Sequence, residues 1–249
     1  MKAARSGLLA LLLLYLIWGS SFLAIRIAVS GPGAFAPYTL AGLRTFIAGF
    51  LLLGFAFVRS QPFRLSPAAV GWLVLTGLLL WVGGHTLIIW AEQRLDSGLA
   101  ALIFASSPLW AAAFEAVRGR STPLLPLLAG FAGVAMVLPL GGAMERSLWI
   151  DGLVVLLSAV FWALGTVIGE GPARGAPIAL SAGIQLSAAG VFNLVWAALA
   201  REHWSQPDLS GWLAFVYLTV FDTVIAFLAY AYAQRRLSVS WLMSFAYVN

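Results

Sequence analysis

Long apolar runs constrain this chain more than any other feature. The first extends from Leu8 to Val29, and further runs follow it, separated by short segments that hold most of the charges. About 20 apolar residues are needed for a helix to cross the hydrocarbon core of a bilayer. With 62% of the residues apolar and 9% charged, and without the alternation typical of a transmembrane barrel, the predicted fold class is an all-α polytopic membrane protein.

About nine membrane helices are predicted from these runs. Their spans lie near residues 8–29, 37–58, 68–90, 97–117, 123–141, 149–169, 177–199, 211–233 and 238 onward. With a cytoplasmic N-terminus, nine Lys and Arg residues fall on the inner side and three on the outer side, so the positive-inside rule predicts this orientation. The first run is too long for the apolar region of a signal peptide, and we expect it to be retained.

An internal repeat is visible at three places along the chain. Ala41-Gly42-Leu43-Arg44 matches Ala182-Gly183-Ile184-Gln185 at an offset of 141 residues, and Ala91-Glu92-Gln93-Arg94-Leu95 matches Ala233-Gln234-Arg235-Arg236-Leu237 at 142. Trp18 and Trp162 correspond at 144. Two repeats are therefore predicted, residues 1–141 and 149–249. Since each repeat has five helices, an odd number, the second enters the membrane from the opposite side, an arrangement typical of secondary transporters.

The same register predicts what the second repeat lacks. Asn249 matches Ser107, whereas the first repeat continues to about residue 141. The expectation is that roughly 30–35 further residues, including a tenth helix, are missing from this chain.

The motifs resemble those of the ten-helix EamA branch of the drug/metabolite transporter superfamily. The resemblance rests on Tyr15-Leu16-Ile17-Trp18-Gly19-Ser20-Ser21-Phe22, on the segments beginning at Ala41 and Ala91, and on Ser244-Phe245-Ala246-Tyr247-Val248-Asn249. It implies an inner-membrane exporter or permease for small metabolites, amino acids or drugs, working around a central cavity lined by both halves. It leaves the substrate open, and a lipid or lipid-linked substrate flippase is the alternative. No enzyme activity or cofactor is expected, because no catalytic constellation is visible, and no nucleic-acid partner is expected, because the charges lie mostly in short gaps between apolar segments.

Two charged residues inside the spans are candidates for the site. Asp222 is the only carboxylate near the middle of a predicted span, and it departs from the small residue that the EamA branch usually has near this position. It is expected to bind substrate or a proton or to partner Arg44 or another polar group, with a neutral, incidental residue as the third alternative. Arg44 is expected to contact an anionic group near the outer mouth or to serve helix packing.

Polar and aromatic residues complete the candidate substrate-binding set. Trp18 and Trp162 are favoured as cavity walls over lipid-facing filler. His85 lines the cavity or packs beside Gly83 and Gly84. The last two candidates are Ser20 and Gln185, which need a partner or a wet cavity. No catalytic constellation or metal cluster is visible, and Pro108 is expected to kink its helix.

Overall fold

The computed structural model describes residues 2–31, 33–62, 64–120, 124–136, 146–203 and 206–249. Within these ranges the chain forms helices and no strands. The helices are α1 (Lys2–Val29), α2 (Pro37–Val58), α3 (Pro67–Ala91), α4 (Ser97–Val117), α5 (Leu124–Ala135), α6 (Arg146–Ile168), α7 (Ile178–Leu199), α8 (Leu209–Gln234) and α9 (Val239–Val248).

Seven of the described helices are long and apolar enough to cross a membrane; α5 and α9 are shorter. The end of the predicted fifth span, from residue 137 on, lies outside the described residues. Large apolar side chains remain exposed along the helices, among them Leu9, Leu16 and Leu23 on α1 and Phe50 and Phe57 on α2. Their solvent is the lipid hydrocarbon, as expected for a polytopic membrane protein.

Local sequence fixes where several helices begin. Proline stands in the first turn of α2 and α3, where no backbone donor is lost. Four N-cap side chains accept a hydrogen bond from a backbone N–H in the first turn, at Ser66, Asp96, Asp208 and Ser238. Ser66 and Asp208 lie 142 residues apart, as do Asp96 and Ser238, so the predicted offset relates the helix starts as well as the motifs.

The α2 and α7 helices form the most extensive helix–helix contact of the described chain. A methyl group on Gly42 would come within 2.8 Å of Leu194, and one on Gly183 within 2.9 Å of Leu53. Each residue of the first contact lies 141 positions from its equivalent in the second. Because early positions of one helix meet late positions of the other, the pair is antiparallel and related by an approximate two-fold axis.

Three helices are irregular near their middle. The α3 and α8 helices contain π-helical turns, Leu78–Thr86 and Leu218–Ala226. The α4 helix is interrupted at Ala105 and Ser106, with Pro108 in the first turn of its second half, which agrees with the predicted kink. Residues in or beside these three segments line a cavity between the helices.

Candidate substrate cavity

The π-helical turns place the principal polar side chains of the interior. Trp81 and His85 lie in the turn of α3, and Asp222 lies in that of α8. In each turn a threonine hydroxyl donates back to the carbonyl five residues earlier, Thr86 to Trp81 at 2.9 Å and Thr223 to Leu218 at 2.7 Å. These bonds satisfy carbonyl groups in the widened turns, which are frequent at functional sites.

Asp222 is the centre of a buried polar cluster. Its Oδ2 lies 3.1 Å from Nη1 of Arg44 and 3.5 Å from Nε2 of His85, and its Oδ1 accepts a 2.6 Å hydrogen bond from Ser21. The side chains of Arg44 and Asp222 are both completely buried. Such a charge is tolerated only when it is paired, and here α1, α2 and α3 each supply a partner to the carboxylate on α8.

The ion pair breaks the approximate two-fold symmetry of the helices. At the repeat offsets of 141 and 142, Arg44 corresponds to Gln185 and Asp222 to Leu80. Gln185 donates instead to the hydroxyl of Thr76 at 2.8 Å. Both positions that match the ion pair thus hold neutral residues, so neither matching position holds a buried charge without a partner.

A cavity of about 40 Å³ adjoins this cluster. Its polar lining includes Ser21, His85 and Asp222, and its aromatic walls are Trp18, Phe22, Phe104, Trp162 and Phe245. This volume accommodates a few water molecules, whereas sites for small organic ligands occupy roughly 300–1,000 Å³. In this conformation the cavity is therefore too small to hold a ligand of that size, and the conformation is called closed here in that sense.

Trp18 of the first predicted repeat packs against Trp162 of the second. Their ring centroids are 5.3 Å apart in an edge-to-face arrangement, and Tyr230 lies 5.4 Å from Trp18 and 5.5 Å from Trp162. The Tyr230 hydroxyl is hydrogen-bonded to that of Thr166 at 2.6 Å. Thr166 also lines a vestibule of about 390 Å³ on the face where α1 begins, called here the amino face, so Tyr230 bridges the tryptophans of the cavity and the wall of this vestibule.

Ion pairs tie the helix ends together at both faces. On the amino face Arg235 forms two 2.6 Å hydrogen bonds with Glu170. On the opposite face Arg94 forms two with Asp151, at 2.9 and 2.5 Å, and these bonds raise the pKa of the Arg94 guanidinium. The α6 helix is thus fixed to the end of α8 on one side and to the end of α3 on the other.

Several buried nitrogen atoms beside the cavity have no hydrogen-bond partner within the described residues. They are Nδ1 of His85, Nε1 of Trp162 and of Trp81, and Nε and Nη2 of Arg44. Buried donors normally find an acceptor, and each lost hydrogen bond costs about 1–3 kcal/mol. His85 and Trp162 line the cavity, so a ligand there could accept from Nε1 of Trp162 and donate to Nδ1 of His85, whose other ring nitrogen faces Asp222.

The EamA-like transporter family matches residues 5–138 and again residues 149–249. The chain belongs to this family. Together the two matches include all of the cavity lining, and they divide the chain close to where the offsets predict a repeat boundary. The protein is therefore a membrane transporter of the EamA type and not an enzyme.

Relatives and a solved structure agree with this assignment. The chain is 36% identical to the inner membrane transporter YedA of Escherichia coli K12 over 96% of this chain and 78% of that protein. It is 26% identical to the S-adenosylmethionine/S-adenosylhomocysteine transporter of Chlamydia trachomatis over 94% of this chain and 76% of that one. A crystal structure with 23% identity superposes with a TM-score of 0.71, covering 99% of this chain and 83% of that chain, which shows the fold.

The predicted site residues of this EamA-type transporter fall into two groups. Trp18, His85, Trp162 and Asp222 line the cavity, and Arg44 lies behind Asp222 as its ion-pair partner. The other two lie apart from the lining in the described structure: Ser20 is exposed beside Tyr217, and Gln185 binds Thr76. Of the alternatives for Asp222, partnership with Arg44 is observed, and a role in binding remains a prediction.

Sequence reasoning missed several residues of the site, among them Ser21, Phe22, Phe245 and Tyr230. Ser21 was passed over for its neighbour Ser20, although only Ser21 faces Asp222. Phe22 and Phe245 belong to the motifs that carry the family resemblance, but nothing in their identity distinguishes a cavity wall from a lipid-facing side chain. Tyr230 could have been singled out from the sequence, because a tyrosine within an apolar helix needs a polar partner for its hydroxyl group.

Proposed function

We propose that this protein is a secondary transporter that exports or exchanges small metabolites, such as amino acids, drugs or related compounds, by alternating access. The observation that carries the proposal is the position of the cavity. Its lining comes from α1, α3 and α4 of the first predicted repeat and from α6, α8 and α9 of the second. A site between two inverted halves becomes accessible from either side when the halves rock against each other.

The division into inverted repeats, residues 1–141 and 149–249, is part of this proposal. It is supported by the reciprocal contacts of α2 with α7 and by the helix ends that follow them. Ser60 and Arg201 lie 141 residues apart, and both have left-handed backbone conformations, with φ of 50° and 53°. Matching conformations at matching positions are what duplication followed by inversion would leave.

A cytoplasmic N-terminus in the inner membrane is also proposed. The vestibule on the amino face is lined by Arg118, Arg120, Arg174 and Arg235. Arginine in short loops favours the cytoplasmic side, and the relative YedA is named as an inner membrane transporter. Substrate leaving the cell would enter through this vestibule and displace the Tyr230 ring.

The cavity lining indicates the substrate class. Trp18 and Trp162 offer faces and edges for a planar or apolar group, while His85 and Asp222 contact polar or cationic groups. S-adenosylmethionine, which the chlamydial relative is named for, combines an aromatic base with charged groups. We propose a substrate of this amphipathic kind, with proton coupling as the driving force.

The test is transport by the full-length protein in proteoliposomes. Aromatic amino acids, cationic aromatic drugs and fluorescent lipid analogues would be compared, with Trp162→Ala as the cavity variant and Trp149→Ala, an exposed tryptophan on the same helix, as its control. Saturable flux of a soluble compound that is lost in Trp162→Ala and kept in Trp149→Ala supports the proposal. Movement of lipid analogues alone would replace it with the flippase alternative, and no flux of any compound would refute it.

A further inference from the structure

Glu92 is the most unusual carboxylate of the described chain. It directly follows Ala91, the last residue of α3, and its side chain is completely buried. Neither of its carboxyl oxygens has a hydrogen-bond partner among the described residues. Arg26 of α1 approaches it, but the guanidinium donates to the backbone carbonyl of Glu92 and not to the carboxyl group. A buried carboxylate without a partner is unfavourable by several kcal/mol, so the group is neutral in this conformation.

The equivalent position in the second repeat supports a neutral group. Glu92 corresponds to Gln234 at the offset of 142. The Gln234 amide donates a 3.0 Å hydrogen bond from Nε2 to the carbonyl of Thr166 near the end of α6. A protonated carboxyl group has nearly the shape of an amide and carries one proton to donate, whereas a carboxylate only accepts. The chain thus places an uncharged isostere of protonated glutamate at the matching position.

The charged groups around Glu92 do not offset the free-energy cost of burying its carboxylate form. Burial raises the pKa of Glu92 well above its ordinary value, opposed by the positive charge of Arg26 and reinforced by the negative charge of Asp96. The nearby Arg94 is held by Asp151. Arg26 on α1 and Asp96 in the segment before α4 are thus the charged groups acting on Glu92 from the elements packed against it.

We propose that Glu92 is a proton-binding site of this transporter. In the closed conformation it holds a proton; when the face opposite the amino face opens, water reaches Glu92, the proton leaves, and the carboxylate pairs with Arg26. This inference rests on the proposed function and adds to it the group that couples protons to the conformational change. Because the closed conformation binds the proton more tightly, acid stabilises the closed conformation and a rise in pH favours opening.

Asp222 is less suited to this task, although it lies nearer to the middle of the membrane. Its negative charge is compensated by Arg44, and Ser21 and His85 add further contacts. The other described glutamates also have partners: Glu115 lies beside Arg120, Glu170 pairs with Arg235, and Glu202 accepts from the first turn of α2.

Infrared spectroscopy tests the protonation of Glu92 without any substrate. The full-length protein would be prepared with glutamate labelled by ¹³C at the side-chain carboxyl, which shifts the C=O band of a protonated glutamate and leaves aspartate bands in place. We expect a shifted protonated band at neutral pH that disappears in Glu92→Gln and remains in Asp222→Asn. A neutral-pH spectrum without a protonated glutamate band in the wild-type protein would overturn the proposal.

Thiol labelling tests the coupling to opening. The sequence contains no cysteine, so Ile88→Cys, in the cavity lining, provides a single reporter. One proton released per opening changes the opening equilibrium about tenfold per pH unit, so labelling from the face opposite the amino face should accelerate accordingly as the pH rises. In Glu92→Gln this acceleration should fall to that of thiol ionisation alone.

Asp96→Asn is the matched control, because Asp96 is a nearby carboxylate but is exposed. It should keep the change of about tenfold per pH unit, with the midpoint moved to lower pH because the negative charge of Asp96 no longer raises the pKa of Glu92. Equal pH dependence in Glu92→Gln and the unaltered reporter protein would overturn the proposal. Both experiments are independent of substrate, so an absence of flux would count against the transport proposal without affecting this one.

Discussion

The Arg44–Asp222 ion pair allows a quantitative test because the matching positions of the two predicted repeats hold neutral residues, Gln185 for Arg44 and Leu80 for Asp222. Arg44→Gln and Asp222→Leu each leave one buried charge without its partner, which costs about 3–5 kcal/mol in the free energy of unfolding. Combining them installs the residues found at positions 185 and 80 and leaves no unpaired charge. The double variant still deprives Ser21 and His85 of an acceptor, which costs about 1–3 kcal/mol.

Independent effects of the two single substitutions would total about 6–10 kcal/mol, so the pair predicts a coupling energy of at least about 3 kcal/mol. The assay is reversible unfolding in mixed detergent micelles, with the free energy of unfolding measured for the wild type, both single variants and the double variant. Thr45→Val, which changes the neighbouring buried position on α2, is a control that should combine additively with Asp222→Leu. Additivity of Arg44→Gln with Asp222→Leu to within about 0.5 kcal/mol would refute the argument that the two charges are tolerated only together.

Two further predictions concern helix packing and a helix start. Gly49→Ala places a methyl group 2.5 Å from the backbone of Ser187 and should destabilise the protein by about 1–3 kcal/mol in the same unfolding assay. Gly54→Ala, whose methyl group meets nothing within 4 Å, should be neutral or stabilising. Equal effects of the two substitutions would contradict the close approach of α2 and α7. Hydrogen bonds from the Gly211 N–H and the Ser210 hydroxyl lower the pKa of Asp208, so its stabilisation of α8 is present above its unfolded pKa and is lost as the pH falls through the folded value. Asp208→Ala should lower the Tm at neutral pH and less so in acid; a pH-independent loss would contradict this.

Much of the fold follows from the sequence because the bilayer leaves few alternatives. The apolar runs predict the helix bounds closely: the second predicted span, 37–58, coincides with α2. The offset of 141 residues predicts which helices correspond, and Gly42 and Gly49 are the residues that allow α2 and α7 to approach. Backbone hydrogen bonding within each helix, glycine spacing and loop length are all local properties, so they can be read without knowing which helices pack together.

The site was less predictable because it depends on which way side chains face. Successive side chains of a regular helix are rotated by a constant angle, so the face on which each one lies can be predicted. The π-helical turns around His85 and Asp222 change this angle, and no residue pattern in α3 or α8 predicts these turns. Ser20 and Ser21 differ by one residue and face opposite environments. The pairing of Arg44 with Asp222 joins residues far apart in the chain, so the sequence could only offer it as one of several alternatives.

The proton site proposed at Glu92 could not be predicted from the position of this residue in the sequence. At the end of a span a glutamate is expected to reach water, and its complete burial becomes visible only when α1 and the start of α4 are in place. The clue present in the sequence was the match with Gln234, which exchanges a titratable side chain for a neutral one of the same shape.

The central claim, that one cavity opens alternately to the two faces, is tested most directly by a single cysteine at Phe22. This residue lines the cavity, and the chain has no other cysteine that would react. A membrane-impermeant thiol reagent would be added to one face or the other of oriented proteoliposomes, and the labelled fraction measured with and without a transported compound. Alternating access predicts labelling from each face, with the ratio between faces shifted by the compound. Labelling from one face only, under all conditions, would contradict it.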